Sequence, residues 1–160
     1  MHSFYIYLYY NEKEKYIMFT KHYDVTIHTN TGAAETISLR LPFAAQSALG
    51  KKYNKDTISL ILAAATDNDI FIDILTNSLN WKNNTNTITD GGELVEALID
   101  EGIVCDDVSR VRLMIGIGKA SGFISEAKGA ALEREMQAIE DNLTKEPEEA
   151  EADKPEAEKN

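Results

Sequence analysis

The sequence predicts a mainly α fold with a small N-terminal β-hairpin: an α+β arrangement in which a compact helical domain leads into a disordered acidic C-terminal tail. Two runs of apolar alternation, residues 22–29 and 35–41, flank a glycine-containing turn, the pattern of a hairpin. Beyond Pro42 the apolar spacing becomes helical, and Asp recurs just ahead of the apolar runs, where its carboxylate can cap a helix. Asn142 to Asn160 is rich in Glu, Ala, Lys and Pro and has no aromatic residue. Such a segment buries too little apolar area to offset its chain entropy. One folded domain is therefore expected over residues 19–141, with the tail at 142–160.

In the first strand Tyr23, Val25 and Ile27 face inward while Asp24, Thr26 and His28 face out. Ile37, Leu39 and Leu41 do the same in the second, and Asn30 to Ala34 supplies the turn. Pro42 suits the first turn of a helix running to about Tyr53, with Gly50 near its end. Asp56 can cap a short segment, Ile58 to Ala65, apolar enough to be buried on most sides. Asp67 can cap the next, where Ile70, Phe71, Ile74, Leu75 and Leu79 form one stripe. A polar loop over Lys82 to Thr89 leads to Asp90, which opens a helix through Leu94, Val95, Leu98 and Ile99 that stops at Gly102. Asp106 or Asp107 starts a longer helix through Val108, Val111 and Ile115, and Leu132, Met136, Ile139 and Leu143 continue an amphipathic stripe. The expected total is five or six helices.

The chain has 160 residues, 17.8 kDa, 16 Lys+Arg against 27 Asp+Glu, a formal net charge of −11 and one cysteine. Residues 133–160 carry 11 acidic and 4 basic side chains, a net of −7, so most of the acidity lies toward the C-terminal end. A duplex-binding surface needs clustered Lys and Arg, so nucleic acid is not an expected partner. Phe4 to Tyr10 is far shorter than the roughly 20 residues of a membrane-spanning helix and lacks a basic leader, so no membrane role is expected. Cys105 alone cannot form an internal disulfide, and the expected setting is a reducing cytoplasm. Residues 1–17 hold six of the 13 aromatic residues. They read either as an extra strand or as an upstream extension of a protein that starts at Met18. Glu12-Lys13-Glu14 can be encoded by a purine run containing a ribosome-binding consensus, three codons before that methionine.

Candidate chemistry is sparse. Gly116-Ile117-Gly118-Lys119 resembles a phosphate loop, yet Leu113 stands where such a loop has its first glycine and Ala120 where it has Ser or Thr. The expectation is that Gly116, Gly118 and Gly122 let a neighbouring helix approach closely or bend their own. Asp67, Asp69 and Asp73 match calcium-loop spacing only at the first two positions, so capping by Asp67 and solvent exposure of Asp73 are expected. Cys105 lacks an oriented base among His2, His22 and His28, and those residues lack metal-ligand spacing. No catalytic residue, metal or cofactor is expected. The stripe Leu132, Met136, Ile139 and Leu143 reads either as core packing or as a helix docking on a partner or another copy. Trp81, at a helix end beside the polar loop, carries the same two readings.

Several motifs over residues 22–125 together resemble tail assembly chaperones of long-tailed (siphovirus-type) bacteriophages and prophages of Gram-positive hosts. They run from Ser38-Leu39-Arg40-Leu41-Pro42 through Leu49-Gly50-Lys51-Lys52-Tyr53, the helix Ile70 to Leu79, Ile88-Thr89-Asp90 to Leu98-Ile99-Asp100-Glu101-Gly102, and Ser121-Gly122-Phe123. The resemblance implies a non-enzymatic protein of the host cytoplasm that binds the tape measure protein, helps tail tube protein polymerise around it, and is absent from the finished virion. Candidate partner-binding residues are then Trp81, Phe123, Leu132, Met136, Ile139 and Leu143, with self-association a further expectation. The acidic tail would keep such a complex soluble by repulsion. Many such genes make a longer product by frameshifting, and Glu158-Lys159-Asn160 can be encoded by a slippery A AAA AAC. The alternatives are a structural virion component, such as a tail-completion or head–tail joining protein, and an acidic mimic of nucleic acid.

Overall fold

The computed structural model describes residues 22–79, 81 and 86–145, with side chains through 142. The leader at 1–17, its start at Met18, and the tail from 146 lie outside the described residues, as does most of the polar loop after Trp81. Within them the chain is mainly helical, six helices behind one antiparallel hairpin, as the sequence predicts.

Strands β1 (Tyr23–His28) and β2 (Ala34–Leu39) pair with Val25 opposite Ile37 and Tyr23 opposite Leu39. Because side chains alternate, this register puts Val25, Ile27, Ile37 and Leu39 on one face, all at most 5% exposed. Gly32, at φ +79°, closes the turn by donating its N–H to the Thr29 carbonyl. The second strand ends two residues before the expected Leu41. There the Arg40 N–H leaves the hairpin for the Ser78 carbonyl, 3.1 Å away. Leu41 is buried nonetheless, its own N–H bonded to Ser121 Oγ at 2.9 Å.

Helix α1 (Phe43–Tyr53) follows Pro42 and ends at Asn54 in the left-handed region. Helix α2 (Thr57–Ala63) is capped by Asp56, which accepts from Ser59 N–H, but it is not buried all round: Leu62 is 40% exposed. Helix α3 (Asn68–Leu79) is capped by Asp67 and buries the whole expected stripe, with Phe71 inaccessible. Full burial of such a side chain contributes about 1.5–3 kcal/mol.

Helix α4 (Gly91–Asp100) begins at the Asp90 cap and stops at Gly102, φ +68°, where the Ile103 and Val104 N–H groups both donate to the Leu98 carbonyl. Its inward face is narrower than expected, since Leu94 and Leu98 are buried while Ile99 is 52% exposed. Its start lies tightly on α3: Gly91 N–H donates to Thr76 Oγ1 at 3.1 Å.

Helix α5 (Asp107–Ala120) opens on a capping box in which Asp106 accepts from the Ser109 N–H and Ser109 Oγ accepts from the Asp106 N–H. It is buried on two sides. Leu113, Met114 and Ile117 join the main core with α2, α3, α4 and the hairpin, while Val111 and Ile115 belong to a second, smaller cluster. The chain then turns back at Gly122, φ +81°, with the Phe123 and Ile124 N–H groups on the Gly118 carbonyl. The stripe that follows is thus a separate helix, α6 (Glu126–Lys145), folded against α5 and running past the expected end of the domain at residue 141.

The glycines of α5 allow close approach, although not only by helices. The Tyr23 ring lies where a Cβ on Gly116 would stand, and Ile124 and Ile61 crowd Gly118. Gly122 ends the helix instead. Asp73 is only partly exposed, not free in solvent as expected: α3 turns it toward α1, where it accepts from Lys52 Nζ at 2.6 Å and Tyr53 OH at 2.7 Å.

Candidate functional site

The candidate partner-binding residues fall in three places. Trp81 caps the hairpin: its Nε1–H donates to the Ser38 carbonyl at 2.9 Å, its ring stacks on His22, and the Arg40 guanidinium lies over it. These contacts fix the indole against β2 and give it a packing role.

Phe123 sits in the α5–α6 turn, half buried on the main core, with its ring 6.5 Å from that of Phe43. Phe43 is 74% exposed, the most exposed of the large apolar side chains described. It was not singled out from the sequence, where its sole signal is an aromatic residue in the first turn of a helix, directly after Pro42. Phe43 and Phe123 form an aromatic edge where the start of α1 meets the end of α5.

The third place is α6. Leu132 is 5% exposed and, with Met136 beside it, packs on Ala65, Val111 and Ile115. Ile139 is 46% exposed, and the side chain of Leu143 lies outside the described residues. The stripe therefore divides: its first half packs on α5 and Ile139 meets solvent. Charge frames the contact. Arg112 of α5 donates to Glu140 Oε2 at 2.6 Å and to Gln137 at 3.2 Å, and Lys119 lies 3.0 Å from Glu126 and 3.7 Å from Glu133. The bond to Glu126, with the added charge of Glu133, holds the Lys119 ammonium above its ordinary pKa despite partial burial. Between the two helices and the start of β1 runs an open groove of about 730 Å³ whose lining includes Tyr23 and Gly116.

Two other groups are engaged structurally. His28 Nδ1 is 2.9 Å from Glu101 Oε1, and the His28 N–H also binds that carboxylate, which is held below the usual range first by the backbone bond and then by the ring. Cys105 is exposed, its thiol directed at the Gly102 carbonyl at 3.1 Å. Among the described residues no group of three His, Cys, Asp or Glu is placed to hold a metal ion, and no helix is long and apolar enough to cross a membrane.

No protein-family model matches the chain, and comparison with curated proteins and with solved structures likewise gives no match.

Proposed function

We propose that this protein is a non-enzymatic tail assembly chaperone of the long-tailed phage type, which binds the tape measure protein in the host cytoplasm, promotes tail tube assembly and is left out of the finished virion. The observation that carries the reading is the motif resemblance over residues 22–125, a stretch that coincides with the hairpin and α1 to α5. The Phe43–Phe123 edge supports it by offering exposed aromatic surface to an apolar segment of a client.

Co-expression with the longest neighbouring open reading frame, the tape-measure candidate, tests the proposal. Soluble yield of that protein should rise with the chaperone, the two should co-purify, and Phe43→Ser should weaken capture without unfolding the chain. Equal solubility without the chaperone, and no co-purification, would overturn the reading. Mass spectrometry of purified particles separates it from a virion component, since the chaperone should be missing from them.

A further inference from the structure

The hairpin turn, the residues just ahead of α4 and one side of α4 itself frame a groove of about 730 Å³, whose lining includes Ala33, Ile88, Ala97, Glu93, Glu96 and Asp100. Two other carboxylates fasten its walls. Glu101 accepts from the His28 N–H at 2.6 Å and lies 2.9 Å from the ring Nδ1, tying the end of β1 to the end of α4. Glu35 accepts from the Thr87 N–H at 2.9 Å and from the Thr87 hydroxyl, tying β2 to the residues ahead of α4. The groove is therefore formed before anything enters it.

Glu93, Glu96 and Asp100 take no part in this fastening. All three are exposed and without an ion pair among the described residues, and neither α4 nor the groove lining holds a Lys or Arg. At i, i+3 and i+7 they share one side of the helix with Ala97, and like charges so placed repel. The groove between α5 and α6 differs, because there Arg112 and Lys119 already face Glu126, Glu133 and Glu140.

On the reading of this chain as a tape-measure chaperone, we propose that the α4 groove is a docking surface for a basic amphipathic helix of the client. Its Lys or Arg side chains lie against Glu93, Glu96 and Asp100, and an apolar side chain between them lies against Ile88 and Ala97. The three carboxylates span about 10 Å of α4, so the matching cations stand at i, i+3 or i+4, and i+7. Pairing relieves the repulsion along α4, and the field of the carboxylates makes capture fast and salt-sensitive.

Fluorescent overlapping peptides that tile the tape-measure candidate, titrated with the full-length chain and followed by anisotropy, test it. Those that bind should combine such cations with apolar residues. Glu93→Gln with Glu96→Gln and Asp100→Asn should weaken them about tenfold and flatten the salt dependence, whereas removing the same charge by Glu148→Gln, Glu149→Gln and Glu151→Gln should leave affinity within about twofold. The groove variant should melt no lower than the parent, because neutralisation removes repulsion. Should it lose its helical circular dichroism, Glu96→Gln alone is read in the same way, with a loss of about threefold. Equal binding by the groove variant, or an equal loss in the C-terminal variant, overturns the docking surface and leaves the chaperone reading standing. So does a parent chain that captures the whole client but none of its peptides. If the parent captures neither, both fall.

Discussion

Gly91→Ala probes the close approach of α4 to α3. A Cβ at position 91 would stand 2.5 Å from the Ile72 carbonyl oxygen and 2.7 Å from the Thr76 nitrogen, with Thr76 Oγ1 nearer still. Two of these three atoms are main chain of α3, so no side-chain rotation relieves the overlap and the helices must separate. Overpacking of this kind costs about 1–3 kcal/mol. Separation also weakens the Gly91 N–H bond to Thr76 Oγ1, about 1 kcal/mol. The helix-propensity gain of alanine is at most about 1 kcal/mol in a helix interior and less at a first position. The net expectation is a loss of about 2–3 kcal/mol. Urea unfolding followed by circular dichroism should show the midpoint falling by about 1–2 M at an unchanged slope. Adding Thr76→Ala should recover little, because the two main-chain contacts remain. A Gly91→Ala midpoint equal to or above that of the parent would refute the reasoning, since α3 and α4 would then have room for a methyl group.

Tyr53→Phe removes one of the two donors on Asp73. Partial burial pushes that carboxyl up, but the bonds from Lys52 and Tyr53 outweigh it and the net direction is below the ordinary value. A lowered folded-state pKa contributes stability above the unfolded value, near pH 4, that is lost as pH falls through the folded one. The variant should therefore lose about 1 kcal/mol at pH 7, and thermal melts should show the gap closing as the pH falls from about 4 through the lowered folded-state value. Ser78→Ala should stabilise: among the described residues Ser78 Oγ is a buried oxygen without a hydrogen-bond partner, inside α3. Removing it gains about 1 kcal/mol, readable as a melting temperature a few degrees higher. Leu132→Ala should cost about 2 kcal/mol, at the low end for a buried leucine because its cluster is small. Hydrogen exchange should quicken in α6 and stay unchanged in α3. Asp106→Ala removes the α5 cap and should cost about 1 kcal/mol by urea denaturation.

The hairpin was readable because its buried face repeats every two residues, and the caps at Asp56, Asp67 and Asp90 because each precedes an apolar run, while the start of α5 was narrowed to Asp106 or Asp107. The Asp106 box was harder to see, since Ser109 stands where a capping box usually has Glu or Gln. Periodicity identifies an apolar face without saying how wide a neighbour will cover it. Ile99 and Leu62 continue their stripes on paper and lie in solvent. The converse holds for α5, whose stripe looks weak because two different neighbours cover two of its sides. Asp73 with Lys52 and Tyr53, and Trp81 with Ser38, join residues distant in sequence, and no local pattern announces such meetings. The exposed Phe43 was missed for the same reason: an aromatic residue in a first turn gives no sign of whether a neighbour will reach it.

The seat of the Tyr23 ring on Gly116 has a consequence for synthesis on the ribosome. The hairpin emerges first, yet part of its cover is α5, near the far end of the core. Until that helix leaves the exit tunnel, Val25, Ile27, Ile37 and Leu39 have no complete counterpart, and pairings so distant along the chain close late. A nascent chain whose emerged part stops before position 116 therefore holds an uncovered apolar sheet face, whereas one that has emerged past Ile124 has every element of the main core.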